Sequence, residues 1–121
     1  MLIHTVYAAL KAMRPPYVPY EYDIHLMVKE CLNEAALPYL HEAKIGTGCR
    51  IDYLVDNIGI EIKKGKPKPE ALLKQLTRYA ACEATEGLIV VTQRSVLLPK
   101  SVSGKPVLAL VLSQLWGVAL P

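Results

Sequence analysis

The apolar positions of the chain switch between a helical and a strand-like period, and those switches outline its elements. Val6, Leu10 and Met13 recur at helical spacing and predict a short helix within residues 1–14. Pro15, Pro16 and Pro19 break the pattern and predict an extended connector over residues 15–20. Ile24, Val28, Cys31 and Ala35 predict a second helix over residues 21–36, stopped by Pro38. The period then shortens. Residues 39–45 predict a strand that ends at Gly46-Thr47-Gly48. Cys49–Val55 and Ile58–Lys63 predict a strand pair joined at Asp56-Asn57, two residues that tolerate the positive φ of a tight hairpin. A basic loop over residues 65–69 leads to a strong helix over residues 70–83. "GLIVVT", residues 87–92, is a short and continuously apolar strand. Residues 97–104 predict a loop or short helical turn, residues 105–112 a last strand, and the tail around Trp116 has no clear pattern. This order predicts an α/β fold, a central mixed β-sheet flanked by helices.

The polar residues of the hairpin fall into one cluster. With Asp56-Asn57 as a two-residue turn, Val55 pairs with Ile58, Leu54 with Gly59, Tyr53 with Ile60, and Asp52 with Glu61. Alternation then puts Ile51, Tyr53, Val55, Ile58, Ile60 and Ile62 on one core-facing side, and Arg50, Asp52, Glu61 and Lys63 on the other. A four-residue turn would pair Asp52 with Lys63 instead and still leave both carboxylates on one face. Like charges opposite each other destabilise a sheet, unless a cation lies between them. Mg²⁺ prefers carboxylate oxygens, and the Ile62 carbonyl offers one oxygen more. Lys63 projects from the same face, where it could orient an attacking water or stabilise developing negative charge. The same four side chains could also form a plain salt-bridged surface, and geometry alone leaves both readings open.

Composition narrows the class. The 121 residues are 52% hydrophobic and 21% charged, which suits one folded domain with its own core. No apolar run approaches the roughly 20 residues needed to cross a bilayer. No secretion signal is visible, so the expectation is a cytoplasmic protein with no membrane partner. Cys31, Cys49 and Cys82 are odd in number and share no close spacing, which argues against a disulfide framework or a zinc site. His4, His25 and His41 are isolated and attract no catalytic role. Net charge is only +3, but Lys63, Lys64, Lys66, Lys68, Lys74 and Arg78 cluster in one stretch, either a solvated face or a phosphate-facing one.

These residues resemble the PD-(D/E)XK nuclease superfamily, the restriction-endonuclease-like fold, whose pattern is an aspartate in one strand and acid-x-lysine in the next. Here it is Asp52, an eight-residue spacer, then Glu61-Ile62-Lys63. The next helix contains "QLTRY", which resembles the QxxxY motif of the RecB-like branch. Gln75 and Tyr79, four residues apart, share a helix face. The resemblance covers residues 21–106, with the recognisable core at about 21–112 and residues 1–20 as an extension. Ile51-Asp52 replaces the family's Pro-Asp. No cysteine set for an iron–sulfur cluster and no helicase motif accompanies it.

The resemblance implies an αβββαβ core and a Mg²⁺- or Mn²⁺-dependent nuclease, with DNA the first choice of substrate. Asp52, Glu61 and the Ile62 carbonyl would hold metal. Glu21, opening the first core helix, would be an outer or second ligand, with Glu30 its rival and Glu42 a weaker third. Lys63 would position water and stabilise charge, and Gln75 and Tyr79 would line the site. Lys64, Lys66, Lys68, Lys74 and Arg78 would hold phosphates. A homodimer would bring two sites to two strands, with "VLALVLSQLWGVAL" as interface and Trp116 as its anchor, unless that run is ordinary core. The alternatives are a non-catalytic nucleic-acid-binding or assembly module of the same fold, and a nuclease subunit active only in a complex.

Overall fold

Helix α1 (Leu2–Leu10) opens the computed structural model, which describes residues 2–14 and 21–118. It buries Ile3, Val6 and Leu10, and Met13 is buried just past its end. The connector expected over residues 15–20 lies outside the described residues. Helix α2 (Glu21–Glu34) buries Ile24, Val28 and Leu32, an i, i+4, i+8 stripe. Cys31 is only half-buried and Ala35 is exposed, so the buried stripe differs from the expected one. The helix also ends earlier than expected. Ala36 adopts φ +56°, and the Leu37 N–H closes back onto the Leu32 carbonyl at 2.9 Å.

Strands β1 (Leu40–Gly46), β2 (Cys49–Val55) and β3 (Ile58–Lys63) form an antiparallel meander. Helix α3 (Pro69–Ala80) then crosses over to β4 (Gly87–Thr92), which runs parallel to β3. A two-residue strand, β5 (Ser101–Val102), turns through Ser103 and Gly104, both at positive φ, into β6 (Lys105–Val111). Residues 97–100 are loop, as expected, and the hairpin departs from the expectation only over residues 101–104. Helix α4 (Leu112–Val118) follows directly. The six strands stand in the order β1-β2-β3-β4-β6-β5, a mixed sheet. With its four helices the described chain is an α/β fold.

Each face of the sheet has its own core. Helices α1 and α2 cover one face, built from Tyr53, Val55, Ile58, Ile60, Ile62, Ile89 and Val91. Helix α3 covers the other with Leu72, Leu76 and Tyr79, against Ala43, Ile45, Ile51, Leu88 and Val90. β4 is buried along its whole length, as a central parallel strand must be. The C-terminal run also serves this core: Val107, Leu110, Val111 and Leu112 are buried. These four positions are ordinary core, and the Trp116 side chain lies outside the described residues. No helix among the described residues is long and apolar enough to cross a membrane.

One expected face is corrected. Ile51 does not share a face with Tyr53 but packs under α3. Residues i and i+2 of a regular strand face the same way, so β2 breaks its alternation at Asp52. Opposite this break, Glu42 of β1 holds φ +50° between the ladder pairs His41–Tyr53 and Ala43–Ile51. The β2–β3 ladder keeps the expected pairs Tyr53–Ile60, Leu54–Gly59 and Val55–Ile58, and then stops. Asp52 and Glu61 are therefore not a ladder pair. The cause is the deep burial of Ile51 on the α3 side, which turns β2 away from β3 at Asp52.

Candidate active site

The break in the ladder is where the carboxylates gather. Beyond the last paired residues, the Asp52 side chain replaces the missing main-chain acceptor, and its Oδ2 accepts the Ile62 N–H at 2.7 Å. Ile62 sends its side chain into the α1–α2 core. Glu61 and Lys63 come from the opposite face of β3. Glu61 is 6% exposed, and its Oε2 lies 3.2 Å from Lys63 Nζ. Its Oε1 is buried with no hydrogen-bond donor, because the neighbouring Tyr79 hydroxyl gives its proton to the Arg50 carbonyl. Burial, and next the Asp52 carboxylate, push the Glu61 pKa up to about 7, against the pull of the Lys63 ammonium.

Helix α3 supplies the lid of this cluster. Pro69 fits its first turn, Glu70 complements its N-terminus and Arg78 its C-terminus. Its end is drawn in from the expected residue 83. The Thr85 hydroxyl donates to the Tyr79 carbonyl at 2.7 Å, and Lys105 Nζ donates to the Cys82 carbonyl at 2.9 Å. Leu72 and Leu76 anchor the inner side of the helix. Gln75 Nε2 donates to Tyr79 Oη at 2.8 Å, and Tyr79 Oη donates to the Arg50 carbonyl at 3.1 Å. The QxxxY pair is thus one hydrogen-bonded unit pinned to β2. Burial, then the adjacent Glu61 carboxylate, hold the Tyr79 phenol well above the usual tyrosine range, with Asp52 adding to the effect. Asp52, Glu61, Lys63, Gln75 and Tyr79 are therefore brought together. Arg50 contributes its carbonyl, while its side chain is exposed.

The other expected residues are more dispersed. Glu21 opens α2, but its side chain lies outside the described residues. Glu30 is exposed further along α2, and Glu42 is exposed on β1 opposite Asp52. Lys64, Lys66 and Lys68 are exposed between β3 and α3. Gln93 tethers this loop by accepting the Gly65 N–H on its Oε1 at 3.1 Å. Lys74 and Arg78 are exposed on the outer surface of α3, which they share with Gln75 and the acidic Glu70. Lys68, at the N-cap, lies beside Lys74 on that surface.

Sequence reasoning missed Thr92. It ends β4 directly beside Lys63, is fully buried, and its Oγ1 has no hydrogen-bond partner. The one signal in the sequence was a lone hydroxyl closing an otherwise apolar strand.

Among the described residues, no group of three Asp, Glu, His or Cys side chains is placed to hold a metal ion. Two carboxylates remain, one with an unpartnered buried oxygen. That matches a hard divalent cation that keeps several of its waters, as Mg²⁺ does. It does not match zinc, whose sites use three or four nitrogen or sulfur ligands. Compared with family models, with curated proteins and with solved structures, the chain matches none.

Proposed function

We propose that this chain is a divalent-metal-dependent nuclease with a restriction-endonuclease-like core, acting on DNA. The observation that carries the reading is Glu61 Oε1, a buried carboxylate oxygen without a partner, between Asp52 and the Lys63 ammonium. Burying an ionisable group this way costs stability, so the arrangement makes sense if the oxygen has a ligand in the working protein. The QxxxY pair, hydrogen-bonded together and to the Arg50 carbonyl beside Glu61, supports the same reading.

Asp52 and Glu61 would hold Mg²⁺ or Mn²⁺, with the Ile62 carbonyl and Glu21 as further oxygens. The bound ion would supply Lewis acidity at the phosphate and lower the pKa of water. Lys63 sits where it can orient the attacking water and neutralise charge that builds on the phosphate. Asp52, fixed by the Ile62 N–H, keeps its remaining oxygen in place. Gln75 and Tyr79 shape the wall beside the scissile phosphate. Lys64, Lys66, Lys68, Lys74 and Arg78 hold neighbouring phosphates by charge.

The test is cleavage of labelled single-stranded, duplex, flapped and four-way-junction DNA, and of RNA. Each is run with EDTA, Mg²⁺ or Mn²⁺, beside a Glu61→Gln control. Metal-dependent cutting that disappears in the control is the expected result. Absence of cutting and of any metal-induced thermal shift, in a folded protein, would leave a binding module as the better reading. A thermal shift without cutting would point to a subunit that needs its complex.

A further inference from the structure

A cleft separates the N-terminal half of α2 from the edge of the sheet. Tyr22, His25 and Lys29 line it from α2, His41 and Glu42 from β1, and Tyr53 from β2. Its volume is about 410 Å³, inside the range of small-molecule sites. The His41 ring stacks on Tyr53, with centroids 4.6 Å and planes 22° apart. His25 meets His41 edge-on at 6.1 Å. Tyr53 is itself fixed, because its hydroxyl donates to the His25 carbonyl at 3.0 Å and Tyr39 packs against it edge-on at 5.5 Å.

One face of the His41 imidazole is thus held on a rigid phenol, while the residue as a whole stays exposed. Tyr22 leaves 74% of its surface in solvent. Flat rings presented this way match a ligand with flat faces of its own. Glu42, at the rim, holds φ +50°. Non-glycine residues keep that conformation only where their surroundings impose it, and such positions cluster at ligand sites. The location adds a further argument. Tyr53 follows Asp52 in the chain, and Glu42 lies opposite Asp52 across the β1–β2 ladder. The cleft therefore lies beside Asp52 on the α2 face of the sheet, while Glu61 and Lys63 stand on the α3 face.

We propose that this cleft is a nucleobase subsite, which takes one unpaired base of a single-stranded DNA segment running into the site. The base stacks on the open face of His41, and Tyr22 closes over it. Lys29 faces the flanking phosphate, and the Glu42 carboxylate accepts from base N–H groups. Every base has a π-face, so the subsite favours unpaired strands over duplex more than it favours a sequence. The proposal rests on the nuclease reading of Asp52 and Glu61, and its test keeps the two apart.

A single-stranded oligonucleotide carrying one 2-aminopurine is titrated with the protein in EDTA. Affinity and fluorescence quenching are both read, with a duplex of equal length for comparison. The wild type should quench the single strand and not the duplex. His41→Ala should weaken binding about tenfold and lose the quenching. His41→Phe should restore both, because the stacking plane returns without the imidazole, and Tyr22→Ala should weaken both. The same oligonucleotide is also incubated with wild type and Mn²⁺ to read cleavage. If the wild type binds and cleaves but His41→Ala and Tyr22→Ala change neither affinity nor quenching, the subsite is refuted and the nuclease reading stands. If the wild type does not bind the single strand, the subsite is refuted, and the nuclease reading is decided separately by the substrate panel.

Discussion

Glu61 is the residue whose behaviour separates a functional cluster from an ordinary surface. Its pKa is about 7 in the folded chain against 4.5 for a free side chain. Below 4.5 both folded and unfolded states hold the proton, and the group contributes nothing to the pH dependence. Between the two values the unfolded chain ionises first, so the folded state binds more protons and stability falls as pH rises. Above the folded value the cost is constant, on the order of 3 kcal/mol. Glu61→Gln removes the ionisation. In EDTA it should melt several degrees above wild type at about pH 8, and the gap should close by about pH 4. Thermal melts across that range check this, and parallel curves for the two proteins would refute it. Asp52 makes a complementary case, because its carboxylate has a structural bond as well as a place in the cluster. Asp52→Asn keeps an oxygen for the Ile62 N–H, so its metal-free stability should stay close to wild type. Asp52→Ala leaves that N–H without its partner and should cost about 1 to 2 kcal/mol. Both should abolish the thermal shift on adding Mg²⁺ or Mn²⁺, measured by the same melts.

At the scale of elements, the packing that opens the fork between β2 and β3 can be tested directly. Gly59 faces the α3 side of β3, and a Cβ there would lie 2.5 Å from Ile51 Cδ1 and 3.1 Å from Leu88 Cδ2. Ile51 fills the space that Gly59 leaves, and this is what carries it to the face opposite Tyr53. Gly59→Ala should therefore destabilise by about 1 to 3 kcal/mol. Ile51→Val removes the colliding Cδ1, so the double variant should lose less than the sum of the single losses, by about 1 kcal/mol. Chemical denaturation of the four proteins measures the coupling, and strict additivity would show that the contact does not hold Ile51 in place. The same contact shows what could be read in the sequence and what could not. Strand alternation and the i, i+4 spacing of Gln75 and Tyr79 are local, and they were enough to locate β2, β3, α3 and the hairpin register. The turn of β2 at Asp52 depends on a glycine in the next strand and a helix some twenty residues on, so alternation alone misassigned Ile51. The β5–β6 hairpin was equally hidden, because a two-residue strand has too few positions to show a period.

For the whole molecule, the question is how separate elements act as one surface. The carboxylates come from two strands, the polar lid from α3, and the basic residues from a loop and the outer turns of that helix. Their convergence follows from one crossover, which places α3 over the face that carries Glu61 and Lys63. Charge clustering in the sequence was real, but a run of lysines looks the same whether it is solvated at random or aligned with a site. In the folded chain Lys74 and Arg78 share the outer surface of α3 with Gln75, and Lys68 lies next to Lys74 on it. If phosphates lie along that surface, binding should weaken with salt in proportion to the cations engaged, by a slope of about 0.7 per phosphate contact for single strands. Replacing Lys74 and Arg78 together by Gln should then reduce the slope of log affinity against log salt by about 1.4. Both residues are exposed, and the folded core should be unaffected. Fluorescence anisotropy with a labelled single strand in EDTA, repeated across salt concentrations, gives the slope. A slope unchanged by the double replacement would detach the basic side of α3 from the strand's path. The carboxylate cluster would then have to receive its substrate from the α2 side alone.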